Sequence, residues 1–288
     1  MWLSLPYSYV LTLLLAVPTA GFLVRVFILQ HDCGHGSFFT SRRANDAVGS
    51  LLGVLTLTPH RRWRKHHAIH HATTGDLDRR GSGDVHMLTV AEYRKLTPLG
   101  RLTYRIHRNP LVLFGIAPVL YFAVWQRFAV EPAAWKAERA SVHWTNLGIL
   151  ICGALMWRLA GLQPLLLIHL PVVVLASSAG VWLFYVQHQF APSYWQHHEN
   201  WEYFAAGMEG SSYYQLPKPL QWLTANVGLH HVHHLDSQIP NYRLQECLDE
   251  NPQLGRVHRL TLRESLSCAS LKLWDEGQSK MVGFRDAH

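Results

Sequence analysis

Charged side chains are scarce in this 288-residue chain, where Asp, Glu, Lys and Arg together make up only 16% of the sequence. Acidic residues are the scarcer sign, with 19 against 26 basic ones, so the formal net charge is +7. A basic balance is compatible with nucleic-acid binding, but no basic stripe is interleaved with a recognition motif. Apolar runs of membrane length are present instead, and Arg and Lys flank them. We therefore exclude a nucleic-acid partner and expect a membrane protein.

Cysteine is also rare, with four scattered copies and no Cys-x-x-Cys pair. This usage is typical of a reducing compartment and argues against structural disulfides. The chain also contains neither an internal repeat nor a stretch with the composition of a disordered linker. By its length, the chain could form one large domain or two.

Histidine, by contrast, is abundant, with 20 copies in the chain. Three clusters hold many of them: residues 31–35 read His-Asp-Cys-Gly-His, residues 66–71 read His-His-Ala-Ile-His-His, and residues 230–234 read His-His-Val-His-His. On a helix, side chains at positions i, i+3 and i+4 lie on one face. Each cluster therefore directs two or three imidazoles towards a common point, and the repeated spacing favours a metal site over a solvated basic face.

The donor type narrows the choice of metal. An all-imidazole site suits iron, copper or zinc better than magnesium or calcium. Nine histidines stand at helical spacing when the isolated His188 is counted, enough for two metals with four or five ligands each. A structural zinc needs four ligands, commonly thiolates, so zinc explains neither the excess nor the membrane setting. Two irons that activate O2 against an apolar substrate explain both, and zinc-dependent hydrolysis stays open as an alternative.

Three apolar runs, at residues 5–29, 143–159 and 165–185, predict membrane-spanning helices. A helix of about 20 residues crosses a hydrocarbon core of about 30 Å, because each residue adds about 1.5 Å. The last two runs are joined by Ala-Gly-Leu-Gln-Pro at residues 160–164, which predicts a helical hairpin.

Two further apolar segments are not expected to cross the whole bilayer. Residues 47–58 are too short, and residues 111–125 are interrupted by Pro118. If the three histidine clusters share one site, they must lie on one side of the bilayer, so these segments are predicted to be interfacial or re-entrant. Basic residues such as Arg61 and Arg127 fall on the cluster side, whereas the hairpin tip carries none. The positive-inside rule therefore predicts a metal site on the cytoplasmic side.

The predicted fold class is all-α: an integral membrane helical bundle with a cytoplasmic helical cap that holds a histidine-rich di-metal site. Four stretches of the sequence resemble the membrane-bound fatty acid desaturase family, and within it the acyl-lipid delta-12/omega-6 branch. They read His-Asp-Cys-Gly-His-Gly-Ser-Phe at residues 31–38, Trp-Arg-Lys-His-His-Ala-Ile-His-His at 63–71, Phe-Tyr-Val-Gln-His-Gln at 184–189 and Asn-Val-Gly-Leu-His-His-Val-His-His-Leu at 226–235. The similarity runs over nearly the whole chain and implies a single desaturase-like domain over residues 1–288.

The resemblance implies a non-haem di-iron centre with nine histidine ligands. They are His31, His35, His67, His70, His71, His188, His230, His233 and His234. It further implies an oxidoreductase that uses O2 to introduce a double bond into a fatty acyl chain of a membrane lipid. The chain has neither a His-Pro-Gly-Gly haem motif nor a Gly-x-Gly-x-x-Gly motif after a strand. Electrons are therefore expected from a separate donor, a ferredoxin or a small haem protein.

Two alternatives stay open at this point. A membrane di-iron hydroxylase of alkanes, sterols or carotenoids would share the first hydrogen abstraction and differ only in the fate of the radical. A non-catalytic metal-binding or transport protein would place its polar ligands near the bilayer midplane. The clusters in this sequence flank the apolar runs instead.

Ligating histidines usually donate their second ring N–H to a carboxylate or a carbonyl. Acidic candidates that are close in sequence are Asp32, Asp76, Asp78, Asp236, Glu199 and Glu202. Asn226 lies four residues before His230 and would share its face if the helix extended back that far. His66 and His231 fall outside the i, i+3, i+4 pattern, so we expect them to support the ligands or to lie on the surface.

Overall fold

The computed structural model describes residues 1–286 and is mostly helical. Residues 287–288, which end the predicted domain, lie outside the described residues. The α-helices, in chain order, are α1 (Tyr9–His35), α2 (Arg42–Leu55), α3 (His60–Thr73), α4 (Val90–Lys95), α5 (Pro98–His107), α6 (Ala117–Val119), α7 (Lys136–Ala160), α8 (Leu162–His188), α9 (Tyr203–Glu209), α10 (Lys218–Leu223), α11 (His230–Leu235), α12 (Leu244–Glu250) and α13 (Leu262–Cys268).

Three described helices are long and apolar enough to cross a membrane. They are α1 with 27 residues, α7 with 25 and α8 with 27. A fourth candidate arises only if α5 and the segment Val112–Arg127 are counted together as one broken span. The three runs expected to span the bilayer are thus confirmed as helices of sufficient length. The last two of these helices are separated by a single residue, Gly161, with a φ of 87°.

Helix α1 runs further than the apolar run that predicts it. It begins after Ser8, whose hydroxyl accepts a hydrogen bond from the Leu11 N–H at 3.3 Å. It ends at Gly36, whose φ of 78° is the left-handed conformation that glycine adopts at little cost. The first histidine cluster is therefore the last turn of this candidate span.

Helix α2 takes up most of the shorter apolar segment at residues 47–58. It has 14 residues, and a helix of that length covers about 21 Å, which is too short to cross a bilayer. The interrupted segment at 111–125 forms two π-helical turns, Val112–Ile116 and Leu120–Val124, on either side of α6. Proline at position 118 removes a backbone donor, so a regular α-helix cannot pass through it without a break.

The described chain divides into two compact units. The first comprises Met1–Lys65 and Phe114–Val181, and the second comprises His66–Leu113 and the described residues from Trp182 onward. In the first unit, a buried polar network holds the turn between α2 and α3. The Gln30 amide donates to the Thr58 carbonyl at 3.1 Å, and the Thr56 hydroxyl donates to the Gln30 amide oxygen. Gln30, which makes both of these bonds, is the residue directly before the first histidine cluster.

The second unit contains five short strands that the all-α prediction missed. They are β1 (Leu88–Thr89), β2 (Tyr213–Gln215), β3 (Arg259–Thr261), β4 (Leu273–Asp275) and β5 (Lys280–Val282). Strand β4 lies between β1, to which it is parallel, and β5, to which it is antiparallel, while β2 and β3 form a separate parallel pair. Strands of two or three residues are too short to show the alternation by which a sequence signals a strand.

Two of these strands lead directly into helices through capping boxes. The Thr89 hydroxyl accepts from the Glu92 N–H at 3.2 Å, and the Glu92 carboxylate accepts from the Thr89 N–H at 2.7 Å. Thr261 and Glu264 repeat this pattern at the start of α13. Each box satisfies two backbone donors that a helix N-terminus would otherwise leave unpaired.

Close packing of α2 on α3 generates a prediction about stability. A Cβ added at Gly49 would lie 2.2 Å from the Cε1 atom of the fully buried His60. The variant Gly49→Ala is therefore expected to destabilise the protein by about 1–3 kcal/mol, the usual cost of overpacking a core. The midpoint of thermal unfolding of the purified protein in detergent measures this loss.

Gly153→Ala in α7 is the matched control, because nothing lies within 4 Å of its added Cβ. Alanine favours a helix over glycine by about 1 kcal/mol, so this variant should unfold at the same temperature or slightly higher. Equal midpoints for the two variants would contradict the proposed contact between Gly49 and His60.

Candidate metal centre

Seven of the nine predicted ligands lie in the second unit, on three helices. Helix α3 carries His67, His70 and His71, helix α8 ends at His188, and helix α11 carries the last three. Both His-x-x-His-His sequences are helical, as their spacing predicts. The helical turn therefore places the imidazoles of each set on one face.

Four of these side chains, His70, His188, His230 and His234, form a buried cluster that we call the four-histidine cluster. The Nε2 atom of His188 lies 3.1 Å from that of His70 and 2.9 Å from that of His230. The Nε2 atoms of His230 and His234 are 3.1 Å apart. All four rings thus turn the same nitrogen towards one point.

A second group, the three-histidine cluster, consists of His67, His71 and His233. The Nε2 atom of His71 lies 3.1 Å from the Nε2 atom of His67 and 3.1 Å from that of His233. The three ligand atoms all lie within 4.8 Å of one another. The geometry again matches what an ion between the rings would require.

The donor chemistry of these clusters fits a metal ion. Nitrogen ligands at about 2.0–2.1 Å around a tetrahedral ion lie roughly 3.3 Å apart. Burial, together with neighbouring imidazoles of which His71 is the strongest, holds the pKa of His234 well below its usual range. A neutral ring presents a lone pair, and several lone pairs aimed at one point repel each other unless a cation lies between them.

Two contacts fix which ring nitrogen faces the four-histidine cluster. The Nδ1 atom of His70 lies 2.5 Å from the Asp84 carboxylate, and the Nδ1 atom of His188 lies 3.3 Å from the Gly210 carbonyl. Both acceptors require the proton on Nδ1, so a neutral ring has its lone pair on Nε2, inside the cluster. Such outer contacts orient ligands and raise their basicity.

Asp84 is a functional candidate that the sequence reasoning missed. Its second carboxylate oxygen accepts from the Gly81 N–H at 3.2 Å. Burial alone would raise the pKa of Asp84, but the facing His70 imidazole holds that pKa below its usual range. Gly83, with a φ of 75°, lets this loop approach α3, because a Cβ there would lie 3.2 Å from the His70 Cβ. Only the Gly-Ser-Gly-Asp composition of the loop hinted at such an approach.

The other two predicted ligands, His31 and His35, lie in the first unit on the last turns of α1. Their ring centroids are 4.6 Å apart, as an i, i+4 pair on a helix should be. The Nδ1 atom of His31 lies 3.1 Å from the Asp32 carboxylate, so the expected role of Asp32 has a structural counterpart. Trp63 packs against His31 with a centroid distance of 5.4 Å, and a Cβ at Gly34 would lie only 2.6 Å from this indole.

Other predicted supporting residues contact different partners. Asp76 lies 2.9 Å from the His198 ring, and Asp78 lies 2.9 Å from the His197 ring, so neither contacts a predicted ligand. Asp236 accepts a hydrogen bond from the Gln238 N–H. The structure shows no contact of Glu199 or Glu202 with these clusters, among the contacts described for residues 1–286.

Three further expectations concerned residues close to the ligands. Helix α11 begins at His230, so Asn226 does not share its face; Asn226 has a φ of 59° and donates to the Asn241 carbonyl. His231 is fully buried, with its Nε2 atom 3.0 Å from the Leu254 carbonyl, so it does not lie on the surface. His66 lies 3.3 Å from the Ser82 hydroxyl.

The described residues contain three candidate membrane spans and buried groups of converging imidazoles. Together these features are those of a histidine-rich membrane protein whose side chains could hold a metal. Residues 4–265 match the family model described as fatty acid desaturase. The chain therefore belongs to the fatty acid desaturase family, whose enzymes are oxidoreductases.

Individual relatives agree with this assignment. The chain is 47% identical to a fatty acid desaturase of Bacillus subtilis (strain 168), over 99% of this chain and 80% of that protein. It is 30% identical to a probable fatty acid desaturase of Sorghum bicolor, over 81% of this chain and 61% of that protein. A chloroplastic sn-2 acyl-lipid omega-3 desaturase (ferredoxin) of Helianthus annuus is 27% identical over 81% of this chain and 54% of its own length. The chain thus spans less than two thirds of both plant relatives.

The contact between His70 and Asp84 generates a prediction about metal affinity. Asp84→Asn keeps the shape of the side chain but removes its charge. It should lower the affinity for a metal bound at the four-histidine cluster by about 10–100-fold, the usual effect of losing a carboxylate behind a ligating histidine. Titration of the metal-free protein with Co²⁺, followed by absorption, measures this change.

The matched control is Asp249→Asn, because Asp249 is exposed and its described partner is Gln245. This variant should titrate like the unmodified protein. If Asp84→Asn does the same, the Asp84 carboxylate does not support the cluster.

Proposed function

We propose that this chain is an O2-dependent di-iron desaturase that introduces a double bond into a fatty acyl chain of a membrane lipid. The observation that carries the proposal is the convergence of seven imidazoles into two clusters within one unit. Membership of the desaturase family supports the same reaction class. We further propose that residues 1–288 work as one functional domain.

The proposed ligands are the nine histidines that the family resemblance implies. Seven make up the four-histidine and three-histidine clusters, and we assign His31 and His35 as the remaining two. Imidazole donors suit iron as well as zinc or copper. When bound, iron would supply the redox chemistry by which O2, two electrons and two protons take two hydrogens from adjacent methylenes, leaving an alkene and two waters.

The residues of the chain prepare this chemistry by holding neutral donors in place. The Asp84 carboxylate and the Gly210 carbonyl keep the protons of His70 and His188 on Nδ1. Burial of the four-histidine cluster excludes bulk water, which keeps competing ligands and side reactions out. The precise placement of the target methylenes separates desaturation from hydroxylation.

We propose that the enzyme is an integral membrane protein with its metal site on the cytoplasmic side. The three candidate spans supply the membrane location, and the distribution of Arg and Lys around the apolar runs supplies the orientation. An acyl substrate dissolved in the bilayer would then reach the site from the membrane. The names of several plant relatives, among them sn-2 acyl-lipid desaturases, support a lipid-bound acyl chain as the substrate.

A direct test is expression in a host that lacks polyunsaturated lipids, followed by gas chromatography of its fatty acids. The unmodified chain should give a new double bond, and its position would distinguish the omega-6 type, which the sequence motifs resemble, from the omega-3 type of several relatives. His67→Ala and His233→Ala should reduce this product to background, because each removes a proposed ligand.

The control for these substitutions is His258→Ala, because His258 is exposed and lies outside both clusters. It should leave the product unchanged. Hydroxylated chains in place of alkenes would favour the hydroxylase alternative. Full activity in either ligand variant would overturn the ligand assignment.

Electrons are proposed to come from a separate carrier, and two plant relatives carry ferredoxin in their names. The net charge of +7 favours docking of an acidic protein. Turnover with a reduced ferredoxin should therefore fall as the salt concentration rises from about 0.01 to 0.15 M, because the screening length shortens from about 30 to 8 Å. A rate that does not depend on salt would contradict electrostatic docking.

A further inference from the structure

His188 stands alone among the seven candidate ligands of the second unit. The other six belong to two sets at positions i, i+3 and i+4, so one helix orients each set. His188 is the last residue of α8, and the last turn of a helix leaves carbonyls without partners inside the helix. Ser212 supplies partners here, because its N–H donates to the Gln187 carbonyl at 2.9 Å and its hydroxyl donates to the Val186 carbonyl at 3.0 Å. Its position therefore depends on contacts from outside the helix, namely the contact of its own Nδ1 atom with the Gly210 carbonyl and the contacts of its neighbours in sequence.

Arg108 adds further contacts on both sides of His188. One terminal guanidinium nitrogen lies 2.9 Å from the Gln189 amide oxygen and 3.1 Å from the Tyr185 hydroxyl. The same nitrogen lies 3.0 Å from the Leu271 carbonyl, and the other donates to the His86 carbonyl at 3.2 Å. The residue after His188 and the residue one turn before it are thus tied to a single planar group, whose fixed shape limits their relative motion.

A short segment near the end of the chain completes this arrangement. We call residues 268–272 the strap. The Tyr185 hydroxyl lies 2.6 Å from the Leu271 carbonyl, and the Lys272 ammonium donates to the Arg108 carbonyl at 2.7 Å. The strap lies beyond the residues 4–265 that match the family model.

Packing alone does not explain why position 108 holds an arginine, because the side chain is charged. Its side chain is fully buried, and among the described residues its hydrogen-bond acceptors are carbonyls, an amide and a hydroxyl, with no carboxylate in an ion pair with it. Burial of a cation without a counter-charge is costly, and an apolar side chain of similar volume would avoid that cost. What an apolar side chain would lose is a set of directed bonds to Tyr185 and Gln189 at the end of α8.

We propose that Arg108 is a positioning residue for His188, and that it fixes this ligand in the four-histidine cluster through Gln189, Tyr185 and the strap. The proposal rests on the proposed function for its metal-binding consequence, but its structural part holds for the metal-free protein. Arg108 acts through its neighbours and does not contact the cluster itself.

The first test follows amide hydrogen exchange in the metal-free protein. Arg108→Met should speed the exchange of amides at residues 186–190 by about tenfold, the effect of losing one hydrogen bond to a charged group. Amides of α3 and α11 should exchange as before. Arg101→Met is the matched control, because Arg101 is exposed on α5, which ends directly before Arg108, and donates only to the Arg94 carbonyl among its described bonds. Unchanged exchange at residues 186–190 would overturn the proposal.

The second test counts metals by Co²⁺ titration and absorption. In Arg108→Met, one of two equivalents should bind at least about tenfold more weakly, as expected when a ligand loses its support. The spectral component that weakens should be the one missing from His230→Ala and retained in His67→Ala. Parallel loss of both equivalents would indicate a general structural role and overturn the proposal.

Fewer than two equivalents in the unmodified chain would contradict the di-iron proposal instead, and the exchange experiment would still decide the role of Arg108.

Substitutions at Gln189 keep the proposal testable if Arg108→Met does not fold. Gln189→Leu removes one acceptor and leaves the other three acceptors around Arg108 in place, so it should weaken the same equivalent of Co²⁺. Gln189→Glu retains an acceptor and should preserve it. Equal titrations for these two variants would show that the contact between Gln189 and Arg108 does not position His188.

Discussion

Mutual repulsion between unprotonated imidazole nitrogens is the constraint on which the second unit depends. The Nε2 atoms of His70, His188, His230 and His234 are brought to about 3 Å from their neighbours. Without a cation between them, the lone pairs and the lost hydration oppose this arrangement. The surrounding structure must therefore hold the rings in place, and it does so with a carboxylate, a carbonyl and a buried guanidinium on the outer side.

The local structure around the histidines could be predicted from the sequence because it depends only on helical periodicity. The i, i+3, i+4 spacing on α3 and α11 and the pair His31 and His35 on α1 are all helical in the structure. The three apolar runs could be predicted for a similar reason, since length and composition alone decide whether a helix can cross a bilayer. The contact between Asp32 and His31 joins adjacent residues, so proximity in sequence was sufficient to suggest it.

Contacts between residues distant in sequence could not be predicted in this way. Asp84 reaches His70 through a loop whose path is set by glycines, and no periodic pattern links the two positions. Arg108 is one arginine among many near the apolar runs, and only its burial separates it from those that face solvent. The short strands β1 and β4 form because the chain returns to pair with itself, which local propensity does not encode.

The pairing of β1 with β4 has a consequence for how the protein is made. Strand β1 lies before two of the candidate spans and β4 lies after them, so the sheet cannot close until both spans and β4 have been synthesised. Contacts over such long stretches of chain form late, because loop closure must precede them. The earlier helices can enter the bilayer during synthesis, whereas the final contacts around His188 wait for the strap to leave the ribosome. Synthesis of the protein thus has an early phase, in which helices enter the bilayer, and a late phase, in which β1 and β4 pair.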